Sequence, residues 1–283
     1  MTSKATPVGE GNAIDSIAFV LQFLRPFGDT EVNALLSLEV ALAGDFPRFD
    51  TTKSVSMTLP AAGEQAQPSE VRVSGVKLQR FLATGKPEWM LQVHDNQIVA
   101  SCLRYTKWKE VWPRSLSWIS KAVHTVSCDD NPITAVAMQV IDRFEQPMPS
   151  AQGYDIEDVF WKDSPYLTKK AANAGAQWHV FQGWFDSFAL AADQSCRILN
   201  VINLSCSQQG SKLHSVIDHT LQMQLGASPL PTVPASIFGS NDRDGEGLIE
   251  RAFEKLHDLN KTILRNTLSK RQLKAIELEG VNQ

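Results

Sequence analysis

Residues 17–24 read Ile17-Ala18-Phe19-Val20-Leu21-Gln22-Phe23-Leu24, with a bulky apolar group at every second position and smaller or mixed residues between. A period of two is that of a β-strand with one face against a core. Pro26 and Gly28 end the run, Asp29 or Thr30 can cap the next segment, and Val32, Leu35, Leu36 and Val40 then recur at helical spacing up to Gly44. The chain opens as strand, then helix.

Working outward, strand-like pieces occur around Ser54–Leu59, Val76–Phe81 and Trp89–Cys102, separated by the Gly/Pro/Gln-rich stretch Pro60–Ser69 and by Thr84-Gly85-Lys86-Pro87. Pro113 suits the first turn of a helix whose apolar stripe is Leu116, Ile119 and Val123. A long strand is expected from about Ile133 to Phe144. Between Gln146 and Gln177, Pro147, Pro149 and Gly153 mark a connection. Trp178–Leu190, Arg197–Cys206 and Leu213–Leu225 are three further strands. Leu248, Ile249, Ala252, Phe253, Leu256, Leu259 and Ile263 trace an amphipathic helix, and Ser269 with Gln272 forms a capping-box signal for another through Leu278.

These patterns predict an α+β protein of mostly antiparallel sheet with helices packed on one face, either one continuous sheet or two adjoining subdomains. The expected organisation is a loose N-terminal tail over 1–13, an N-terminal half over 14–146, a connection over 147–176 and a C-terminal half over 177–283. No sequence repeat links the halves.

Composition narrows the function. Apolar residues make up 43% and charged residues 20%, ordinary usage for a chain that folds. A net charge of −4 argues against a surface that tracks a phosphate backbone over its whole extent. Cys102, Cys128, Cys196 and Cys206 form no C-x-x-C pair, which points to reduced thiols and a cytoplasmic setting. The start of the chain lacks the basic and apolar stretches of a secretory signal, and no apolar run approaches the ~20 residues of a spanning helix, so no membrane partner is expected.

No catalytic, cofactor or metal motif survives inspection. His214, Asp218 and His219 are the best local set of ligands, yet in a strand 214 and 218 share a face while 219 points away. His219 falls beside Ile217 and Leu221, where a hydrogen-bonded core histidine is expected. The acidic turn from Ser240 to Gly247 imitates a calcium loop. Its register fails: with Gly245 at the sixth position Arg251 falls at the twelfth, and with Gly247 there Phe253 does, where a bidentate Glu is required. Phosphate-cradling and dinucleotide glycine patterns are also missing. Trp108, Trp112 and Trp118 are read as packing residues.

Two clusters stand out as binding candidates. Asp155, Glu157 and Asp158 lie beside Trp161 in the central connection, an acidic-aromatic surface suited to a basic protein partner or a solvated loop with aromatic anchors. Lys261, Arg265, Lys270, Arg271 and Lys274 make the last helices locally basic, which suits phosphate or simply solubility.

Three segments together resemble a sporadically distributed bacterial family of uncharacterised proteins of about this length: the Ile17–Pro26 strand with the helix after it, the central Met138-Gln139-Val140-Ile141-Asp142-Arg143-Phe144, and Leu256-His257-Asp258-Leu259-Asn260-Lys261. The central piece is similar to that family's Arg-Tyr-Ile-Asn-Arg strand, with Ile141 and Arg143 agreeing and Asp142 in place of Asn. The resemblance implies a patchily inherited accessory gene, as in phage-defence and toxin–antitoxin loci. The expectation is a non-enzymatic protein-binding component of such a module, acting as regulator, chaperone or neutralising partner. The alternative is a nucleic-acid-binding effector or an enzyme with a dispersed site.

Overall fold

Alternating burial along the second strand places Ile17, Phe19, Leu21 and Phe23 on one side, each no more than 1% exposed, and the same period organises its neighbours. The computed structural model describes residues 4–9, 11–56, 70–127, 130–147, 154–191, 194–225, 230, 237–238 and 247–278. Along these the elements run β1 (Thr6–Pro7), β2 (Ile14–Phe23), α1 (Asp29–Leu35), α2 (Leu38–Ala41), β3 (Arg48–Ser56), β4 (Glu70–Phe81), β5 (Pro87–His94), β6 (Gln97–Cys102), α3 (Trp108–Val126) and β7 (Ile133–Pro147). The second half adds a 3-10 turn (Ile156–Asp158), α4 (Lys169–Ala172), β8 (Trp178–Ala191), β9 (Gln194–Gln209), β10 (Lys212–Gln224), α5 (Leu248–Thr267) and α6 (Lys270–Ala275).

The strands form one large antiparallel sheet in the order β3-β4-β5-β6-β2-β7-β10-β9-β8, with β1 added on β7. That order hides a repeat of topology. From β2 the chain passes through helices into the meander β3–β6, whose last strand returns beside β2 and leads into the long α3. From β7 it passes through the 3-10 turn and α4 into the meander β8–β10, whose last strand returns beside β7 and precedes the long α5. The two leading strands, β2 and β7, pair antiparallel at the centre and join the halves into one sheet.

The core explains why these elements assemble. Phe19 meets Trp112 at 5.1 Å on α3 and Phe253 at 5.4 Å on α5, so one strand side chain ties both long helices to the sheet. Trp118 packs edge-on to Trp89 of β5 at 4.9 Å and also meets Phe46. A second cluster joins Phe144, Ile202, Leu204 and Ile217 of the sheet to Ile263 and Leu264 of α5. Cys102, Cys196 and Cys206 are free and buried. No helix among the described residues is long and apolar enough to cross a membrane.

Several details differ from the sequence expectation. Trp89–Cys102 is two strands, because Asp95 turns the chain with φ 51° and Asn96 fastens the turn to the end of β2 by donating Nδ2 to the Phe23 carbonyl at 2.9 Å. Helix α3 begins at Trp108, five residues before Pro113, which lies inside it. The proline costs the Lys109 carbonyl its helical donor, but Lys109 is exposed to water. Ser269 makes no side-chain cap, and Gln272 spends its amide on the Ala5 and Asp158 carbonyls instead. Within the segment read as a tail, Ala5 is buried and Thr6–Pro7 pair with Glu145 and Phe144. The acidic turn at 240–246 lies outside the described residues.

Candidate functional site

Opposite to the aromatic core, strand residues of the other parity form rows across the sheet. One row from β5 to β9 is Gln92, Val99, Val20, Ala137, Gln222 and Leu199. The next is His94, Gln97, Gln22, Ala135, Gln224 and Arg197. Every residue of the first row is half-buried. The small side chains of Ala135 and Ala137 leave room above β7, and across that gap Gln222 Nε2 donates to Gln22 Oε1 at 3.1 Å. Gln139 Nε2 donates to Asp218 Oδ1 at 2.8 Å, and Arg143 pairs with Asp15 at 2.8 Å. This face is thus amide-rich, with its charges mostly matched. At its β8 end Phe181 and Phe185 are 67% and 49% exposed, and Arg197 lies over the Phe185 ring at 4.1 Å.

The acidic-aromatic and basic sets from the sequence meet each other. Phe160 bridges Leu268, Trp161 N–H donates to the Thr267 carbonyl and Ser269 N–H to that of Val159, stitching the 3-10 turn to the junction of α5 and α6. Across this seam Arg271 pairs with Asp158 at 3.2 Å and donates to the Ala5 carbonyl. Asp155 accepts from Glu157 N–H to cap the turn, and Glu157 lies 3.5 Å from Lys162. Trp161 shares a depression of about 430 Å³ with Arg265, Lys270 and Leu273. Lys274 is exposed, while Lys261 stands apart, 3.6 Å from Asp258.

A third group, which sequence reasoning did not single out as a site, is buried beneath α5. His219 is fully buried, and its Nδ1 lies 2.8 Å from Asn260 Oδ1; desolvation holds the imidazole down at about 4, against the lesser pull of that hydrogen bond. The His257 ring stacks on Trp108 at 3.8 Å, and burial together with Lys261 lowers it to about 4. Trp108 in turn donates its Nε1 proton to Glu254 at 2.8 Å. Asp142 of β7 is 1% exposed, and burial alone raises its carboxyl to about 7. A signal for this group exists in the sequence: Asp142 interrupts the stripe Met138, Val140, Phe144, and His257 and Asn260 interrupt that of Phe253, Leu256 and Leu264. Comparison with protein-family models, curated protein sequences and solved structures finds no match to the chain.

Proposed function

We propose that this chain is a non-enzymatic protein-binding component whose helices cover one face of the sheet and whose other face receives a protein partner. The observation that carries this reading is the pair of register rows across β5 to β9. They offer neutral amide donors and acceptors among small apolar groups, with Arg197 the one strong cation in either row. Such a surface suits the backbone and side-chain amides of a protein, whereas a phosphate chain needs a concentration of positive charge. The exposed Phe181 and Phe185 supply the aromatic anchors that protein contacts favour. A role as regulator, chaperone or neutralising partner in a bacterial phage-defence or toxin–antitoxin locus rests on the resemblance of the three segments.

The test is affinity capture from the native host with three forms of the chain. Thr220 of β10 lies two residues before Gln222 and opposite Gln139, so Thr220→Arg places a long cation on the amide face, and Val40→Arg, at a residue 84% exposed on α2, is the control. A partner recovered at equal stoichiometry by the unsubstituted chain and by Val40→Arg, but lost with Thr220→Arg, supports the reading. Recovery of no stoichiometric partner, or of one indifferent to Thr220→Arg, overturns it.

A second reading is favoured by the depression that sets Trp161 beside Arg265 and Lys270, since an aromatic flanked by cations can stack a base and meet its phosphate. Its expected outcome is salt-sensitive binding of single-stranded RNA or DNA that Lys270→Gln weakens. No binding at low salt removes it.

A further inference from the structure

Between the approach to β2, the start of α3, β7, α5 and the chain just after α6 lies a cavity of about 390 Å³. Its polar lining comes from distant parts of the sequence: Tyr105 precedes α3, Asp142 stands on β7, and His257, Asn260 and Lys261 project from α5. Ile14, Trp108 and Leu264 supply apolar wall. The space is of the size that small-molecule sites occupy, roughly 300–1,000 Å³, and about thirteen times the ~30 Å³ share of a single water.

Asp142 is the group that calls for an occupant. Its side chain is 1% exposed, and Oδ2 has no hydrogen-bond partner. A carboxyl buried without donors is costly, and proteins ordinarily supply one. The cations of the lining do not: Lys261 pairs with Asp258 at 3.6 Å, and Lys107 makes no hydrogen bond to Oδ2. His257 is engaged face to face with Trp108, and Asn260 is engaged with His219 through its oxygen. Asp142 therefore stands in the wall of the cavity with a buried oxygen that none of the cavity's own side chains meets.

We propose that this cavity binds a small organic molecule with a primary ammonium head, the ammonium donating to Asp142 and an apolar body lying along Ile14, Trp108 and Leu264. An anion would bring no donor to Oδ2 and would meet Asp142 and Glu277 as well as Lys107 and Lys261. A neutral molecule of the same shape would satisfy Asp142 less well, because hydrogen bonds between charged partners are roughly twice as strong as neutral ones.

The experiment is titration calorimetry of the full chain at pH 8, where a primary amine is protonated, with 2-phenylethylammonium as the probe and 2-phenylethanol and 3-phenylpropionate as shape-matched controls. The ammonium is expected to bind at least about ten-fold more tightly than the alcohol, and the carboxylate most weakly. Asp142→Asn should weaken the ammonium about ten-fold or more while leaving the alcohol and the circular dichroism spectrum unchanged. Equal affinity for ammonium and alcohol, preference for the carboxylate, no saturable binding of the ammonium, or an ammonium affinity untouched by Asp142→Asn overturns the proposal. If the variant does not fold, the preference of the unsubstituted chain among the three probes decides it.

Discussion

Replacing Asp142 by asparagine should change how stability depends on pH. Burial raises the folded carboxyl from an ordinary 3.8 to about 7. Between those values the folded chain holds a proton that the unfolded chain has released, so this group lowers stability as pH rises through the window. Three units at about 1.36 kcal/mol each give a full loss of roughly 4 kcal/mol. Somewhat under half of it has gone by pH 5, leaving about 2–3 kcal/mol to be lost between pH 5 and pH 8. His219 and His257 act the other way. Burial lowers both to about 4 from an ordinary 6.5, so the unfolded chain takes up their protons first and stability rises with pH across that range. Tyr105, Lys107, His257, Lys261 and Glu277 face the same cavity as Asp142 and are present in both proteins, so the difference between variant and wild type isolates the carboxyl. Urea unfolding monitored by tryptophan fluorescence at pH 5 and pH 8 is the assay. The variant should gain about 2–3 kcal/mol relative to wild type on going from the lower to the higher pH. A difference constant to within about 0.5 kcal/mol would refute the argument.

Gly75→Ala should destabilise the fold by about 2–4 kcal/mol in denaturant melts, because an added Cβ would lie 2.1 Å from the Val93 carbonyl oxygen and force β4 from β5; a neutral substitution would contradict this packing. Phe253→Ala removes the ring between Phe19 and Trp112 and should cost about 3–5 kcal/mol by calorimetry. Gln272→Leu withdraws the Nε2 donor from the buried ends of the Ala5 and Asp158 carbonyls, at 3.0 and 2.7 Å. It should cost about 2–3 kcal/mol and speed amide exchange at Val8 and Trp161, and unchanged exchange at both would show that Gln272 does not hold that seam.

Much of the sheet was legible because its burial alternates residue by residue. Ile17 to Phe23, the run from Ile133 and Leu213 to Leu225 all declare a period of two, and His219 was readable as a core histidine from its register with Ile217 and Leu221. Other features left weaker marks. The turn at Asp95-Asn96 contains neither glycine nor proline, so two strands read as one. Pro113 reads as a helix start because proline favours the first turn, but tertiary contacts by Trp108 and Trp112 carry the helix back past it. The repeat of topology has no sequence counterpart: one half has a four-strand meander and the other three, and connections of different build fill the same place in each. The buried group beneath α5 depends on Tyr105, Asp142, His219, His257 and Asn260 converging from three elements and a loop, which no local spacing encodes. The local sequence did offer polar residues set into apolar stripes, a mark of burial with a partner that periodicity alone does not identify.

The seam between β2 and β7 sets a condition on how the chain is made. Phe23 at the end of β2 pairs with Ile133 at the start of β7, 110 residues later by subtraction. At about 5–20 residues per second on the ribosome, that interval lasts roughly 5–20 seconds. Once residues 97–102 have emerged β2 can find β6 on one side, but its other edge stays open throughout. The strand waiting there is Ile17-Ala18-Phe19-Val20-Leu21, uncharged and free of proline, the composition that invites intermolecular strand pairing. The central strand that unites the finished sheet is therefore also the point at which synthesis is most exposed to aggregation, and slow translation between residues 24 and 133 should lower the soluble yield.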